Sequence, residues 1–169
     1  IANHCPHLLS LDLRVSYSLS TEADADLTAF AEKCPQLEEL SLYFQQLTDQ
    51  SVIALAQLCS RLKKLRLYLC EITVDSFIVL SERGLPLEEL VIPWIPIPCA
   101  EIATQCAHAL SRIRGLSTQS STGSVRNVRY ALQYMTGLRK FQLGDSEDHL
   151  LLPHLLLLLQ GHCAGLESL

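Results

Sequence analysis

Apolar residues along the chain alternate between two spacings, one typical of strands and one typical of helices. In the stretch LEELSLY at 37–43, the side chains of Leu40 and Leu42 point to one face of an extended segment, while Ser41 and Tyr43 point to the other. A helical spacing of three and four residues follows at Val52, Leu55, Ala56 and Cys59. The pattern predicts a short strand and then an amphipathic helix.

Threonines stand where two of the predicted helices begin. Thr48 in LTDQS and Thr73 in ITVDS each carry a side-chain oxygen that can accept a hydrogen bond from a backbone N–H of the first turn. Asp49 and Asp75 follow within that turn, where the helix dipole favours a carboxylate. Both stretches are therefore predicted helix starts.

The strand and the helix recur along the chain. Each copy opens with a related phrase: CPHLLSLDL (5–13), CPQLEELSL (34–42), CSRLKKLRL (59–67), GLPLEELVI (84–92), LSRIRGLST (110–118), MTGLRKFQL (135–143) and CAGLESL (163–169). The opening residues are 25 to 29 positions apart. This period predicts an α/β fold, a right-handed solenoid with parallel strands on the concave side and helices on the convex side. We expect one array over 1–169, about six and a half repeats with uncapped ends, that belongs to a longer chain.

Composition and charge narrow the choice of partner. Hydrophobic residues make up 49% of the chain, and 13 Lys and Arg against 18 Asp and Glu give a net charge of −5 with no basic arm. The longest apolar stretch, 150–159, is about half of the ~20 residues that a membrane span needs. Seven cysteines without a CxxC pair favour free thiols in a reducing compartment. We therefore expect neither nucleic acid nor a membrane as partner.

Two longer phrases resemble a known repeat family. CPQLEELSL followed by LTDQSVIALAQLC, and CSRLKKLRLYLCEITVDSF, are similar to the cysteine-containing leucine-rich repeats of F-box leucine-rich repeat proteins. The resemblance implies a module that binds a protein substrate for an SCF-type ubiquitin ligase. It also implies a Skp-family adaptor and a cullin as partners through a segment outside this chain, and a cytoplasmic or nuclear location.

Nothing in the sequence indicates catalysis. The strings GxxxxGK[ST], GxGxxG, HExxH and GxSxG do not occur. The spacing of His154, His162 and Cys163 matches no zinc template. We predict that the protein is not an enzyme and has neither a metal site nor a cofactor.

Cysteines at one repeat position are predicted to be buried packing residues: Cys5, Cys34, Cys59 and Cys163.

The residues between the leucines of each strand are predicted to form three rows on the concave face. The first row is Ser10, Glu39, Lys64, Glu89, Gly115 and Lys140. The second is Asp12, Ser41, Arg66, Val91, Ser117 and Gln142, and the third is Arg14, Tyr43, Tyr68, Pro93, Gln119 and Gly144. In the first row, Lys64 would be largely neutralised by Glu39 and Glu89.

Aromatic and arginine side chains on this face predict a binding surface, because Tyr, Trp and Arg are enriched at interface hot spots. Tyr43 and Tyr68 are predicted side by side, with Arg14 and Arg66 close and Trp94 just past the fourth strand. The alternative is that the tyrosines only cover the sheet edge and that Trp94 packs on the IPIP segment after it. The predicted partner-binding residues are Asp12, Arg14, Ser41, Tyr43, Arg66, Tyr68, Val91, Trp94, Gln119 and Gln142. Segments 14–26, 93–99 and 117–127 are candidate specificity loops.

Two other functions remain open from the sequence. The same solenoid is compatible with an intracellular scaffold or a receptor that binds a small ligand and has no connection with ubiquitin. A GTPase-activating leucine-rich repeat protein would need a catalytic arginine on a loop. Arg14 and Arg112 are candidates for that role, although no motif supports either.

Overall fold

The structure is a computed structural model of the chain. It describes residues 5–14, 22–43, 47–68, 70, 72–91, 103–104, 106–118, 130–143 and 152–167.

An all-parallel sheet of six strands runs through the described residues, with the strands in chain order. The strands are β1 (Ser10–Leu13), β2 (Glu39–Tyr43), β3 (Lys64–Tyr68), β4 (Glu89–Val91), β5 (Gly115–Thr118) and β6 (Lys140–Leu143). The helices are α1 (Ala23–Lys33), α2 (Asp49–Leu58), α3 (Val74–Glu82), α4 (Ala107–Arg112) and α5 (Leu152–His162). Residues 103–104 and 130–132 are also helical. The predicted α/β class is confirmed.

Backbone hydrogen bonds recur with the period of the sequence. The carbonyl of Leu9 accepts from the N–H groups of Glu38 and Glu39 at 2.8 and 2.9 Å. Equivalent carbonyls in later copies do the same, and the series reaches Arg139, whose carbonyl accepts from the Glu167 N–H at 2.7 Å. Each copy is thereby joined to the next by its backbone at the start of its strand. The predicted strand register is confirmed wherever two strands are described.

The leucines of the strands lie in one core with the apolar faces of the helices. The inward positions along the sheet are almost completely buried: Leu40, Leu65, Leu90, Leu116 and Phe141. Val52, Leu55 and Ala56 of α2 are buried in the same cluster, as the helical spacing predicts. Complete burial of a leucine contributes about 1.5–3 kcal/mol, so this shared core is the main stabilising feature.

The cysteines that open the copies form a ladder of thiol hydrogen bonds. The Sγ of Cys34 donates to the carbonyl oxygen of Cys5 at 3.5 Å, and the Sγ of Cys59 donates to that of Cys34 at 3.7 Å. Cys163 repeats the contact with the Met135 carbonyl oxygen at 3.4 Å. Burial raises the pKa of the Cys59 thiol to about 11, with a smaller contribution from Cys34, so the thiol stays protonated at neutral pH.

The prediction of a buried Cys5 is wrong, because its side chain is exposed. The other cysteines of this position each follow an earlier described copy, against which they pack. The carbonyl of Cys5 still accepts the bond from Cys34. Cys34, Cys59 and Cys163 are buried as predicted.

Polar side chains join the starts of the first three helices. The side chains of Thr48 and Thr73 accept from the N–H groups of Gln50 and Asp75, both at 3.2 Å, so the two predicted N-caps are confirmed. A carboxylate from the preceding copy holds each cap. Asp24 accepts from the Thr48 N–H at 2.9 Å, from its hydroxyl at 2.7 Å, and from the Ser51 hydroxyl.

Asp49 repeats this arrangement one copy later. It accepts from the Thr73 N–H at 2.9 Å, from the Thr73 hydroxyl at 2.7 Å, and from the Ser76 hydroxyl. Ser51 and Ser76 are fully buried. Val74 occupies the equivalent position in the next copy, 25 residues after Asp49, and cannot provide a third carboxylate.

Within the described ranges, none of the helices combines the length and the apolar character that crossing a membrane would require.

Candidate functional site

One face of the sheet carries the rows of side chains that point away from the leucine core. We call it the polar face. Its first row runs Ser10, Glu39, Lys64, Glu89, Gly115 and Lys140, and its second runs Asp12, Ser41, Arg66, Val91, Ser117 and Gln142. Both rows follow the predicted alignment, because inward leucines leave only one register that seals the core.

Stacked tyrosines mark the end of the second and third strands. The rings of Tyr43 and Tyr68 lie 4.1 Å apart between centroids and are inclined by 8°. Arg14 Cζ lies 5.5 Å from the centroid of the Tyr43 ring, within the range of a cation–π contact. Partial burial, and then the hydrogen bond and charge interaction with Tyr43, raise the pKa of Tyr68 above its usual value. The Tyr68 phenol therefore remains a neutral donor at physiological pH.

The charged side chains beside the tyrosines are arranged in pairs. Lys64 Nζ lies 2.7 Å from Glu39 Oε1, and Arg66 Nε lies 2.7 Å from Glu89 Oε1. Lys64 lies between Glu39 and Glu89 in the register and is paired with Glu39, as predicted, but Glu89 pairs diagonally with Arg66 instead. A long guanidinium side chain reaches such a diagonal neighbour on the adjacent strand. The hydrogen bond to Glu89 raises the pKa of Arg66, which stays charged.

Two predicted binding residues are not accessible. Ser41 and Val91 are each 6% exposed, although both lie in the second row of the polar face. The prediction of exposure at these positions is wrong. Both are short side chains that flank the longer Arg66 in the register. Asp12 and Gln142 are exposed, and Arg14 has 73% of its side chain accessible.

A hollow of about 410 Å³ opens on the polar face over β3 to β6. We call it the face hollow. Four of the predicted residues line it, namely Arg66, Tyr68, Val91 and Gln142. Its floor lies at β5, where the outward residues are small. A Cβ at Gly115 would approach Glu89 Cγ to 3.2 Å, so a larger residue would begin to fill the space.

Glu89, Ser117 and Lys140 also line the face hollow, and none of them was among the predicted binding residues. A signal for them exists in the sequence. The fifth copy has the small residues Gly115 and Ser117 in the first and second rows. Their neighbours in these rows have longer side chains, and this pattern predicts a depression in the polar face. The side chains around it therefore present a tyrosine, paired charges, an amide and a hydroxyl group.

Trp94 and Gln119 lie outside the described residues, as do Pro93 and Gly144 of the third row. Most of the candidate specificity loops also fall there. Of the ten predicted binding residues, the structure thus brings together a tyrosine and arginine group around Tyr43 and a second group around the face hollow. Tyr68 belongs to both.

The described residues contain no cluster of three or more His, Cys, Asp or Glu side chains that could hold a metal ion. Models of known protein families and curated proteins were both compared with the chain, and neither comparison finds a match.

Proposed function

We propose that this chain is part of a leucine-rich repeat array of the cysteine-containing subclass, a right-handed solenoid with the polar face on its concave side and the helices on its convex side. The regular backbone ladder and the thiol ladder support this proposal, because both repeat with the period of the sequence. The proposed function is recognition of a protein partner by the polar face.

The stacked pair of Tyr43 and Tyr68 is the observation on which this function rests. Two half-buried rings, one of them under Arg14, offer a broad rigid surface whose side chains are already ordered before binding. Such preorganisation reduces the entropy lost on association. Tyrosine and arginine dominate the binding energy of many protein interfaces. The adjacent face hollow provides space for a side chain of the partner.

The resemblance to F-box leucine-rich repeat proteins leads us to assign the partner as a substrate of an SCF-type ubiquitin ligase. In this proposal, a segment outside the chain binds a Skp-family adaptor, and the adaptor binds the cullin. The repeats themselves do no chemistry. They hold a substrate near the ubiquitin-transferring subunits.

Variants on the polar face test the recognition function. Proteins captured by the full-length protein would be quantified for Tyr43→Ala and Arg66→Ala, with Gln57→Ala on the exposed side of α2 as the control. We expect either variant on the polar face to weaken binding of the captured substrate by about 1–3 kcal/mol. The control should bind normally. Loss of binding in Gln57→Ala, with normal binding in the two face variants, would refute the assignment.

The ligase role is tested separately. The full-length protein should co-purify with a Skp-family adaptor and a cullin, and the two face variants should retain both. A stable substrate complex that contains neither protein would remove the ligase role and leave the recognition function standing.

A further inference from the structure

A second hollow, of about 460 Å³, lies at the edge of the sheet where β4, β5 and β6 begin. We call it the arginine hollow, after Arg112, Arg114 and Arg139 in its lining. Arg114 and Arg139 each stand one residue before a strand, so the hollow faces the strand starts and is distinct from the face hollow. No function proposed above uses it.

Charges alternate along this edge of the sheet until the hollow is reached. The residues that precede β2 to β6, together with the equivalent residue of the seventh copy, are Glu38, Lys63, Glu88, Arg114, Arg139 and Glu167. Lys63 and Glu38 form an ion pair of 2.7 Å. Arg114 and Arg139 break the alternation, and the Arg139 N–H donates directly to the Arg114 carbonyl oxygen at 2.8 Å. Two like charges on adjacent strands destabilise a sheet.

The guanidinium groups of the hollow are poorly satisfied within the protein. Arg112 and Arg114 form neither an ion pair nor a side-chain hydrogen bond with any part of the chain that the structure describes. Arg139 has one contact of 3.2 Å with Glu167, and both side chains are more than half exposed. Arg112 ends α4, where the helix dipole favours a cation. Arg114 and Arg139 have no such explanation.

The lining has the charge and the donors that suit a doubly charged anion. Three arginines and Glu88 in the lining carry a net charge of +2, which Glu167, paired with Arg139, reduces to +1 around the hollow. A phosphate monoester carries about −1.5 to −2 at neutral pH and has three acceptor oxygens. A guanidinium offers several donors in a planar fork that fits those oxygens. The Thr136 hydroxyl also lines the hollow and adds a donor.

The wall beside Arg139 is made of backbone. A Cβ at Gly137 would come within 2.8 Å of the Ser111 carbonyl oxygen, so only glycine allows the two turns to approach this closely. Side chains therefore do not fill the hollow from this side.

We propose that the arginine hollow binds a phosphate monoester group, held chiefly by Arg114 and Arg139. The group would belong either to a phosphorylated side chain of a protein or to a small phosphorylated metabolite.

Fluorescence polarisation with a labelled phosphoserine peptide that is otherwise uncharged tests this site. Its unphosphorylated twin is the first control, and glucose 6-phosphate as competitor distinguishes the two sources. We expect Arg114→Gln and Arg139→Gln each to weaken binding of the phosphopeptide by about tenfold or more. Arg83→Gln removes the same charge from an exposed position at the end of α3, outside the hollow, and should change binding by less than about twofold.

Thermal unfolding gives a second measurement that does not depend on the peptide. Without phosphate, Arg114→Gln should raise the unfolding midpoint, because it removes the repulsion with Arg139. Inorganic phosphate at millimolar concentration should raise the midpoint of the wild type more than that of Arg114→Gln, since ligand binding stabilises only the folded state.

Equal weakening by all three arginine variants, or equal binding of the unphosphorylated peptide, would overturn the proposal. So would a lower midpoint of Arg114→Gln in phosphate-free buffer. Displacement of the peptide by glucose 6-phosphate at a concentration near the peptide's own dissociation constant would assign the site to small metabolites. Displacement only at concentrations a hundredfold higher or more would assign it to a phosphorylated protein.

Discussion

Removal of the Asp49 carboxylate should destabilise the protein far more than removal of the nearby Asp75 carboxylate. Both residues lie in the first turn of a helix, and either replacement by alanine deletes one negative charge. Asp49 also accepts three hydrogen bonds from Thr73 and Ser76 of the next copy. Asp75 is exposed, and its side chain is not a partner in that network. The difference in free energy of unfolding between Asp49→Ala and Asp75→Ala therefore measures the contribution of the contact between copies.

The magnitude follows from where the donors lie. Thr73 is exposed, so water can replace the carboxylate at its N–H and hydroxyl, and the net loss there is about 1 kcal/mol. Ser76 is fully buried, so its hydroxyl would remain unsatisfied, which costs about 1–3 kcal/mol. We expect Asp49→Ala to lower the free energy of unfolding by about 2–4 kcal/mol. Asp75→Ala should lower it by about 0.3–1 kcal/mol through the helix dipole.

The difference between the two variants should depend on pH. Burial acts to raise the pKa of Asp49, but the hydrogen bonds from Ser76 and Thr73 outweigh it and lower the pKa below its usual value. A carboxylate with a lowered pKa in the folded state stabilises the protein fully above its unfolded pKa of about 3.9. That contribution is lost as the pH falls through the lower, folded pKa. Equal urea midpoints for both variants at pH 7, or a gap that persists in strong acid, would refute the reasoning.

Two further substitutions test the packing. Leu40→Ala should lower the free energy of unfolding by about 2–5 kcal/mol, because Leu40 is 1% exposed and its removal leaves a cavity in the shared core. Urea unfolding at pH 7 measures this loss. A free energy of unfolding close to that of Tyr43→Ala would show that the inward and outward rows were assigned wrongly. Gly137→Ala should destabilise the protein, because the new Cβ would lie 2.8 Å from the Ser111 carbonyl oxygen. At Gly161 a new Cβ would have no atom within 4 Å, so Gly161→Ala should be neutral or stabilising. Thermal unfolding compares the two variants, and equal midpoints would contradict this placement of the backbone.

Leucine spacing made the α/β class and the strand register predictable. A shift of one residue in any strand would turn Leu40 or Leu65 away from the core, so a single alignment satisfies all copies. The stacking of Tyr43 on Tyr68 follows from that alignment alone. Parallel pairing likewise follows from having one strand and one helix in every copy.

Other features depend on the reach of particular side chains, which spacing does not encode. Arg66 is long enough to bond Glu89 diagonally, and the short side chains of Ser41 and Val91 that flank it are nearly buried. The carboxylate contacts of Asp24 and Asp49 lie between copies, and the spacing within a single helix does not reveal them. Their alignment at a separation of 25 residues was a usable signal.

Val74 stands where Asp24 and Asp49 stand in the two preceding copies, so the first three helices are joined differently from the later ones. From α1 to α3, neighbouring helices are tied by short charged hydrogen bonds, which resist sliding because they are directional. Val74 cannot continue this series of carboxylate contacts, whereas the backbone hydrogen bonds of the sheet continue to β6. In force-induced unfolding, we therefore expect the later helices to detach before α1 to α3, whose starts are joined by these carboxylate contacts.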